Sequence, residues 1–134
     1  TDAENHQKMV DTRQQKIDYI SHFIPELEVE GDENAELLVV GWGATHGHLM
    51  TAVNALNKEG KKVALAHFNY INPLPINTEE VIKRYKKVVV CELNSGQFAT
   101  YLRSKVPGEY LQYNKVQGQP FTVSELEEHF TSLL

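Results

Sequence analysis

The chain holds a single cysteine, Cys91, in 134 residues. No intramolecular disulfide can form, which suits a reducing compartment, and the protein is expected to be cytoplasmic. One thiol also falls short of the roughly four that ligate an iron–sulfur cluster, and of the set that a cysteine-type structural zinc site needs. Long apolar runs are missing: none approaches the ~20 residues that span a bilayer, and none has the pattern of a signal peptide. Basic clusters are missing too, and the formal net charge is -5, so neither nucleic acid nor a membrane is expected as a partner. There is no Gly-Lys-Ser/Thr phosphate loop, no internal repeat and no low-complexity segment. The first residue is Thr1 and not Met, and a piece of a longer protein is expected. What remains is an ordinary globular composition, 41% hydrophobic and 23% charged, enough for one domain with an appended arm.

Residues 3–24 read as a helix, with Val10, Ile17, Ile20 and Ile24 roughly on one face and Pro25 at its end. Residues 26–36 hold Glu26, Glu28, Glu30, Asp32, Glu33 and Glu36 and no basic residue, and Gly31-Asp32-Glu33-Asn34 marks a turn. The division expected is therefore a helical arm with an acidic linker over 1–36 and an α/β domain over 37–134. Within the linker, Leu27 to Glu30 alternates like a short edge strand.

From Leu37 onward, apolar strands at 37–40, 62–68, 87–91 and 110–113 are spaced by single helices. The first helix, 45–59, carries Leu49, Ala52, Val53 and Leu56 on one stripe, and Gly60 stops it. In the second, Asn77 reads as N-cap with Glu80 at N3, and Ile76 is placed to staple onto Val81. The third turns Phe98, Tyr101 and Leu102 inward and closes before Pro107. For the last, Thr122 caps with Glu125 at N3, and Phe121 staples onto Leu126. Strand–helix alternation means right-handed βαβ units and a parallel sheet with helices on both faces. With the four main strands in the order 2-1-3-4, the loops at 41–47 and 92–96 meet at the switch point of the sheet.

Those two loops supply the candidate site. Gly41-x-Gly43-x-x-x-Gly47 is close to a dinucleotide fingerprint, but the third glycine is displaced by one residue. No acidic residue ends the second strand, where His67-Phe68-Asn69 stands instead, so a nicotinamide or flavin dinucleotide is not expected. His46, His48 and His67 lack an evident carboxylate to complete a metal set and read as polar rim residues. Cys91 beside Glu92 has the wrong electrostatics for a nucleophile and reads as a small buried side chain. Glu92, at the carboxyl end of a central strand, either bonds to the opposite loop or reaches a partner chain. Asn72-Pro73-Leu74-Pro75 is a stiff connector. No complete catalytic set is present. The residues expected to contact a partner chain or a ligand are Gly41, Trp42, Gly43, Thr45, Gly47, Glu92, Asn94, Gly96 and Gln97, with no catalytic and no metal-binding residue.

Several of these segments carry a family resemblance. Leu37-Leu38-Val39-Val40-Gly41-Trp42-Gly43-Ala44-Thr45-x-Gly47 resembles the GWGS-T-x-G segment in the alpha subunits of 2-oxoacid:ferredoxin oxidoreductases, above all those acting on 2-oxoglutarate. Asn72-Pro73-Leu74-Pro75 resembles the family's x-P-x-P turn, and residues 88–97 resemble its V-V-V-x-E-x-N-x-G-Q stretch. Gly118-Gln119-Pro120-Phe121 is similar to the approach to its final helix. The arm, with His6, Met9, Arg13 and Lys16, is similar to the segment joining this domain to the rest of the subunit. His46 departs from the Tyr or Ser common there, so no family role passes to it.

The resemblance implies a three-layer α/β/α fold like the transketolase C-terminal domain, with a mostly parallel sheet of about five strands and one antiparallel edge, for which residues 27–30 are the candidate. It also implies a whole-enzyme reaction in which 2-oxoglutarate, coenzyme A and oxidised ferredoxin give succinyl-CoA, carbon dioxide and reduced ferredoxin. Thiamine diphosphate, Mg and iron–sulfur clusters serve the complete enzyme, none held by this domain. The implied partners are the N-terminal pyrimidine-binding domain of the same subunit, which supplies the thiamine-activating carboxylate, and the beta subunit, which supplies the diphosphate and cluster ligands. Ferredoxin and CoA meet the whole enzyme. Two readings stay open: a non-catalytic domain serving subunit assembly, and a small-molecule or anion-binding regulatory module using the crevice between the two loops. A free-standing flavodoxin-like protein is disfavoured, because the first loop lacks the Ser/Thr run expected around a flavin phosphate.

Overall fold

Continuous apolar strands must be covered on both faces, and that requirement sets the architecture. In the computed structural model, which describes residues 2–116 and 118–134, five strands form one sheet in the order β1-β3-β2-β4-β5. The strands are β1 (Val29–Gly31), β2 (Leu37–Trp42), β3 (Val63–Phe68), β4 (Lys87–Glu92) and β5 (Leu111–Asn114). Strands β2 to β5 pair in parallel, giving the expected 2-1-3-4 order of the main strands, and β1 pairs antiparallel with β3 at the edge, with Val29 opposite Ala66.

Alternate residues of the central strands feed two separate cores. Leu37, Val39, Val63, Leu65, Val89 and Cys91 pack under α2 (His46–Lys58) and α5 (Val123–Leu133), which contribute Leu49, Val53, Leu56, Leu126 and Phe130. Leu38, Val40, Ala64, Ala66, Val88 and Val90 face the other way, toward α3 (Thr78–Lys83) and α4 (Gln97–Lys105), with Ile82, Phe98 and Leu102. The result is helix, sheet, helix. Helix α5 opens with the expected capping box: Thr122 Oγ1 accepts from Glu125 N at 3.2 Å, and Glu125 Oε1 accepts from Thr122 N at 2.9 Å.

Three expectations are revised. First, the antiparallel edge strand expected from residues 27–30 is present as β1, but Leu27 and Ala35 beside it are buried in the core, which a linker would not be. The acidic segment is thus an edge of the α/β body, and a boundary at 36/37 would cut the sheet. Second, Asn77 does not cap α3. Its side-chain amide instead exchanges two hydrogen bonds with the backbone of Leu27, Oδ1 accepting at 2.7 Å and Nδ2 donating at 2.9 Å. Ile76 is left 54% exposed, so no staple forms on Val81. Third, α1 (Asp2–Ile20) buries none of its residues. Ile17 and Ile24 are half-buried, while Val10 and Ile20 of the same supposed face are exposed.

Candidate functional site

The two expected loops do leave neighbouring strands at the carboxyl edge of the sheet, since β2 and β4 are paired with Val40 opposite Val90. The first begins at Gly41, where there is no room for a side chain: an added Cβ would run into Leu49 Cδ1 and stand 3.1 Å from Thr45 Oγ1. Strand β2 and helix α2 therefore approach one another only because this residue is glycine. A single 3-10 turn, Gly43–Thr45, leads into α2. Thr45 is buried, and its hydroxyl donates to the Trp42 carbonyl at 3.0 Å. Gly43 and Gly47 are exposed.

The second loop is organised by two side chains acting on the start of α4. Asn94 Oδ1 accepts from Gly96 N at 2.9 Å and Gln97 N at 3.2 Å. Glu92 Oε1 accepts from Phe98 N at 2.7 Å, and Oε2 accepts from Ala99 N at 3.0 Å. Gly96 makes the turn possible, with φ +93 and its α-carbon pressed against Gln112 and Asn114 of β5. All four amides that this helix start could offer an anion are thus held by the protein's own oxygens.

Glu92 joins the two loops. Besides the α4 amides, Oε1 accepts from Trp42 Nε1 at 3.3 Å, and the carboxylate is 1% exposed. Of the two alternatives weighed for it, a bond to the opposite loop is the one observed. The space expected as an open crevice between the loops is filled by this side chain, and Glu92 itself touches no exterior surface. Gly41, Thr45 and Gly96 are buried as well, and of the nine expected contact residues only Gly43, Gly47 and Gln97 are exposed, with Trp42 and Asn94 half-buried. The outward rim is completed by Ala44, Ser95 and the 40% exposed Leu93. It is almost uncharged.

The remaining candidates fall elsewhere. Cys91 is fully buried, and that burial pushes its thiol far above the usual range, with the Glu92 charge adding to the effect. Such a thiol is not a nucleophile. His46 and His67 meet edge to face with centroids 4.9 Å apart, and His46 Nε2 lies 2.9 Å from Glu30 Oε1 on the edge strand. His48 is exposed on α2. Among the described residues, no group of three or more His, Cys, Asp or Glu is placed to hold a metal ion. Burial, then the neighbouring His46, holds the His67 imidazole below its ordinary range. A cavity of about 490 Å³ opens beside these rings, lined by Glu28, Glu30, His46, His67 and Tyr70 among others, with no residue of the 92–97 loop in its wall. The unpartnered His67 Nδ1 faces Gly41, 3.4 Å from where a Cβ would stand there. It is turned away from the opening. The His46–Glu30 pair was not anticipated, because nothing in the sequence sets the 27–30 strand beside the start of α2.

The family described as pyruvate:ferredoxin oxidoreductase core domain II matches residues 35–126, the span holding both loops. The chain belongs to that family. Core domain II relatives include the 2-oxoglutarate oxidoreductase subunit KorA of Mycobacterium tuberculosis, 45% identical over 91% of this chain and 18% of its own length. Subunit alpha of 2-oxoacid:ferredoxin oxidoreductase 1 from Aeropyrum pernix is 30% identical over 95% of this chain and 21% of its own. Among solved structures, the 2-oxoglutarate:ferredoxin oxidoreductase of Magnetococcus marinus, with 2-oxoglutarate, coenzyme A and succinyl-CoA bound, superposes with a TM-score of 0.87 at 28% identity. It covers 96% of this chain and 23% of that one. A split-gene transketolase is similar in fold, with a TM-score of 0.59 at 13% identity over 78% of this chain and 40% of its own. Core domain II as seen here spans about a fifth of the length of the oxidoreductase relatives it matches.

Proposed function

We propose that this chain is the core domain II of the alpha subunit of a 2-oxoglutarate:ferredoxin oxidoreductase, non-catalytic in itself and serving to hold neighbouring parts of the enzyme together. The observation that carries the assembly role is the inward turn of Glu92, Asn94 and Thr45 at the switch-point edge. Glu92, Asn94 and Thr45 are spent on the domain's own backbone, leaving a rim of Trp42, Ala44, Leu93, Ser95 and Gln97. A half-apolar, uncharged rim with an aromatic is the composition of a polypeptide interface core. The whole-enzyme substrate is proposed from KorA, whose 45% identity extends over 91% of this chain.

The residues present do not fit the cofactors of the complete enzyme. A diphosphate needs donors at a helix start; the four at α4 are engaged, and at α2, whose start has no side-chain cap, neither a lysine or arginine side chain nor a second donor loop stands beside the free amides among the described residues. An iron–sulfur cluster needs thiolates, and the one thiol is sealed in the core. We therefore place thiamine diphosphate, Mg and the clusters on other parts of the enzyme, and read the N-terminal pyrimidine domain and the beta subunit as the surfaces this domain meets. Helix α1 supports a bridging role: its Met9, Val10, Tyr19 and Ile20 are exposed. We assign the protein to the cytoplasm on its single buried thiol.

Melting of the purified chain with thiamine diphosphate, coenzyme A, flavin or phosphate tests the non-catalytic half. A ligand at a hundredfold excess over its Kd stabilises by about 2.7 kcal/mol, and no shift is expected with any of the four. A saturable shift with one of them contradicts the assembly reading. The enzyme that carries this chain is expected to reduce ferredoxin with 2-oxoglutarate and coenzyme A, and loss of that activity in favour of pyruvate overturns the substrate assignment.

A further inference from the structure

Capping α4 does not by itself require Glu92 to reach across the edge. Asn94 already accepts from the Gly96 and Gln97 amides, and Glu92 takes Phe98 and Ala99. The informative bond is the third one on the carboxylate, from the Trp42 indole at 3.3 Å. Trp42 is the last residue of β2 and half-buried at the rim, with its ring 5.8 Å from that of Phe98 on α4. A carboxylate is costly to bury unless donors converge on it. Here those donors come from two separate loops, so neither can shift without breaking a bond to the same buried group. Glu92 is also the one charged side chain in the buried set among the described residues.

We infer that Glu92 is a positioning residue, a tethered carboxylate that ties the β2 loop to α4 and fixes the Trp42 indole on the docking rim. The consequence for docking rests on the proposed assembly function. The tie itself does not, and it is read on this chain without any partner.

Trp42 is the single tryptophan, so one indole N–H resonance and one emission band report on the tie. Glu92→Ala is expected to move the indole resonance upfield, speed its solvent exchange and red-shift the emission. Formate at millimolar concentration is expected to restore all three saturably in Glu92→Ala, while chloride at equal ionic strength restores none. Wild type is expected to ignore both salts. Glu92→Gln keeps the size but offers the indole a neutral acceptor, with its N–H₂ set against the Ala99 N–H, so its indole resonance should move upfield by less than in Glu92→Ala and not respond to formate. An unshifted indole in either variant overturns the inference, as does a folded Glu92→Ala that formate leaves unchanged. If Glu92→Ala folds only in formate, that supports it; if it folds in neither salt, the Glu92→Gln indole decides. Trp42→Phe in the complete enzyme separates the two claims. Normal assembly of that variant, with the tie intact in wild type, ends the docking consequence and leaves the positioning role standing.

Discussion

At Gly41 and Gly47 the same residue type does opposite things six residues apart on one loop. A Cβ at Gly41 collides with Leu49, whereas one at Gly47 meets nothing within 4 Å. Gly41→Ala is expected to cost about 1–3 kcal/mol by overpacking. Gly47→Ala, in the first turn of α2, is expected to be neutral or to stabilise by up to about 1 kcal/mol from helix propensity. Urea unfolding of the two variants checks the pair, and equal effects would count against the packing seen here. The sequence made both glycines look alike, since spacing records where a turn lies and not what stands over each α-carbon. The Glu92 alternative was legible for a related reason: a carboxylate ending a buried strand must find donors. Which donors it finds depends on where the Trp42 ring lands. Protonation adds a further prediction at this scale. Burial holds His67 and His129 below the ordinary imidazole range, so the unfolded chain takes up these protons more readily than the folded one. Their contribution is complete above about pH 6.5 and is lost as pH falls through that value toward the folded pKa values. The urea midpoint should therefore fall between about pH 7.5 and about pH 5.5, and fall less in His67→Gln; a flat or rising midpoint contradicts the assignment.

Elements differ in how much of their stability is local, and that governs what could be read in advance. The Thr122–Glu125 capping box needs only residues three apart, and it forms as expected. Asn77 followed by Glu80 has the same spacing, yet the Asn77 amide is taken by Leu27, 50 positions away. A long-range partner outcompetes a local cap without leaving a trace in the local pattern. The continuous apolar strands and the 2-1-3-4 order were legible because burial on both faces and right-handed crossovers leave few arrangements. Edge strand β1 showed in the alternation of residues 27–30, but its acidic residues hid that Leu27 enters the core. Helix α1 is the element least tied to the rest, with no buried residue. Removing residues 2–20 is expected to change the unfolding free energy by less than about 1 kcal/mol. A larger loss would mean that the arm packs on the body more firmly than its exposure allows.

Considered as a whole molecule, the domain presents a carboxyl edge built like a ligand site, with its α4 half already filled from within. Open α/β sheets bring strand ends and helix starts together there, and in this chain Glu92 and Asn94 occupy the donors that a bound anion would use. The chain spans 18% of the length of KorA and 23% of that of the Magnetococcus chain, and under the proposed assembly role an edge whose α4 donors are already taken is suited to meeting another polypeptide. Fold class and family were accessible from the two loop motifs taken together, because their glycines, Trp42 and Glu92 are coupled by one buried carboxylate. The closure of the crevice was not, since it depends on a side-chain direction. Hydrogen–deuterium exchange of residues 42–48 and 93–97, compared between this chain alone and the assembled enzyme that carries it, tests the docking account most directly. Protection of both segments should rise on assembly while the already bonded amides of Phe98 and Ala99 change little; both segments exchanging as freely in the enzyme as in the isolated chain would contradict it.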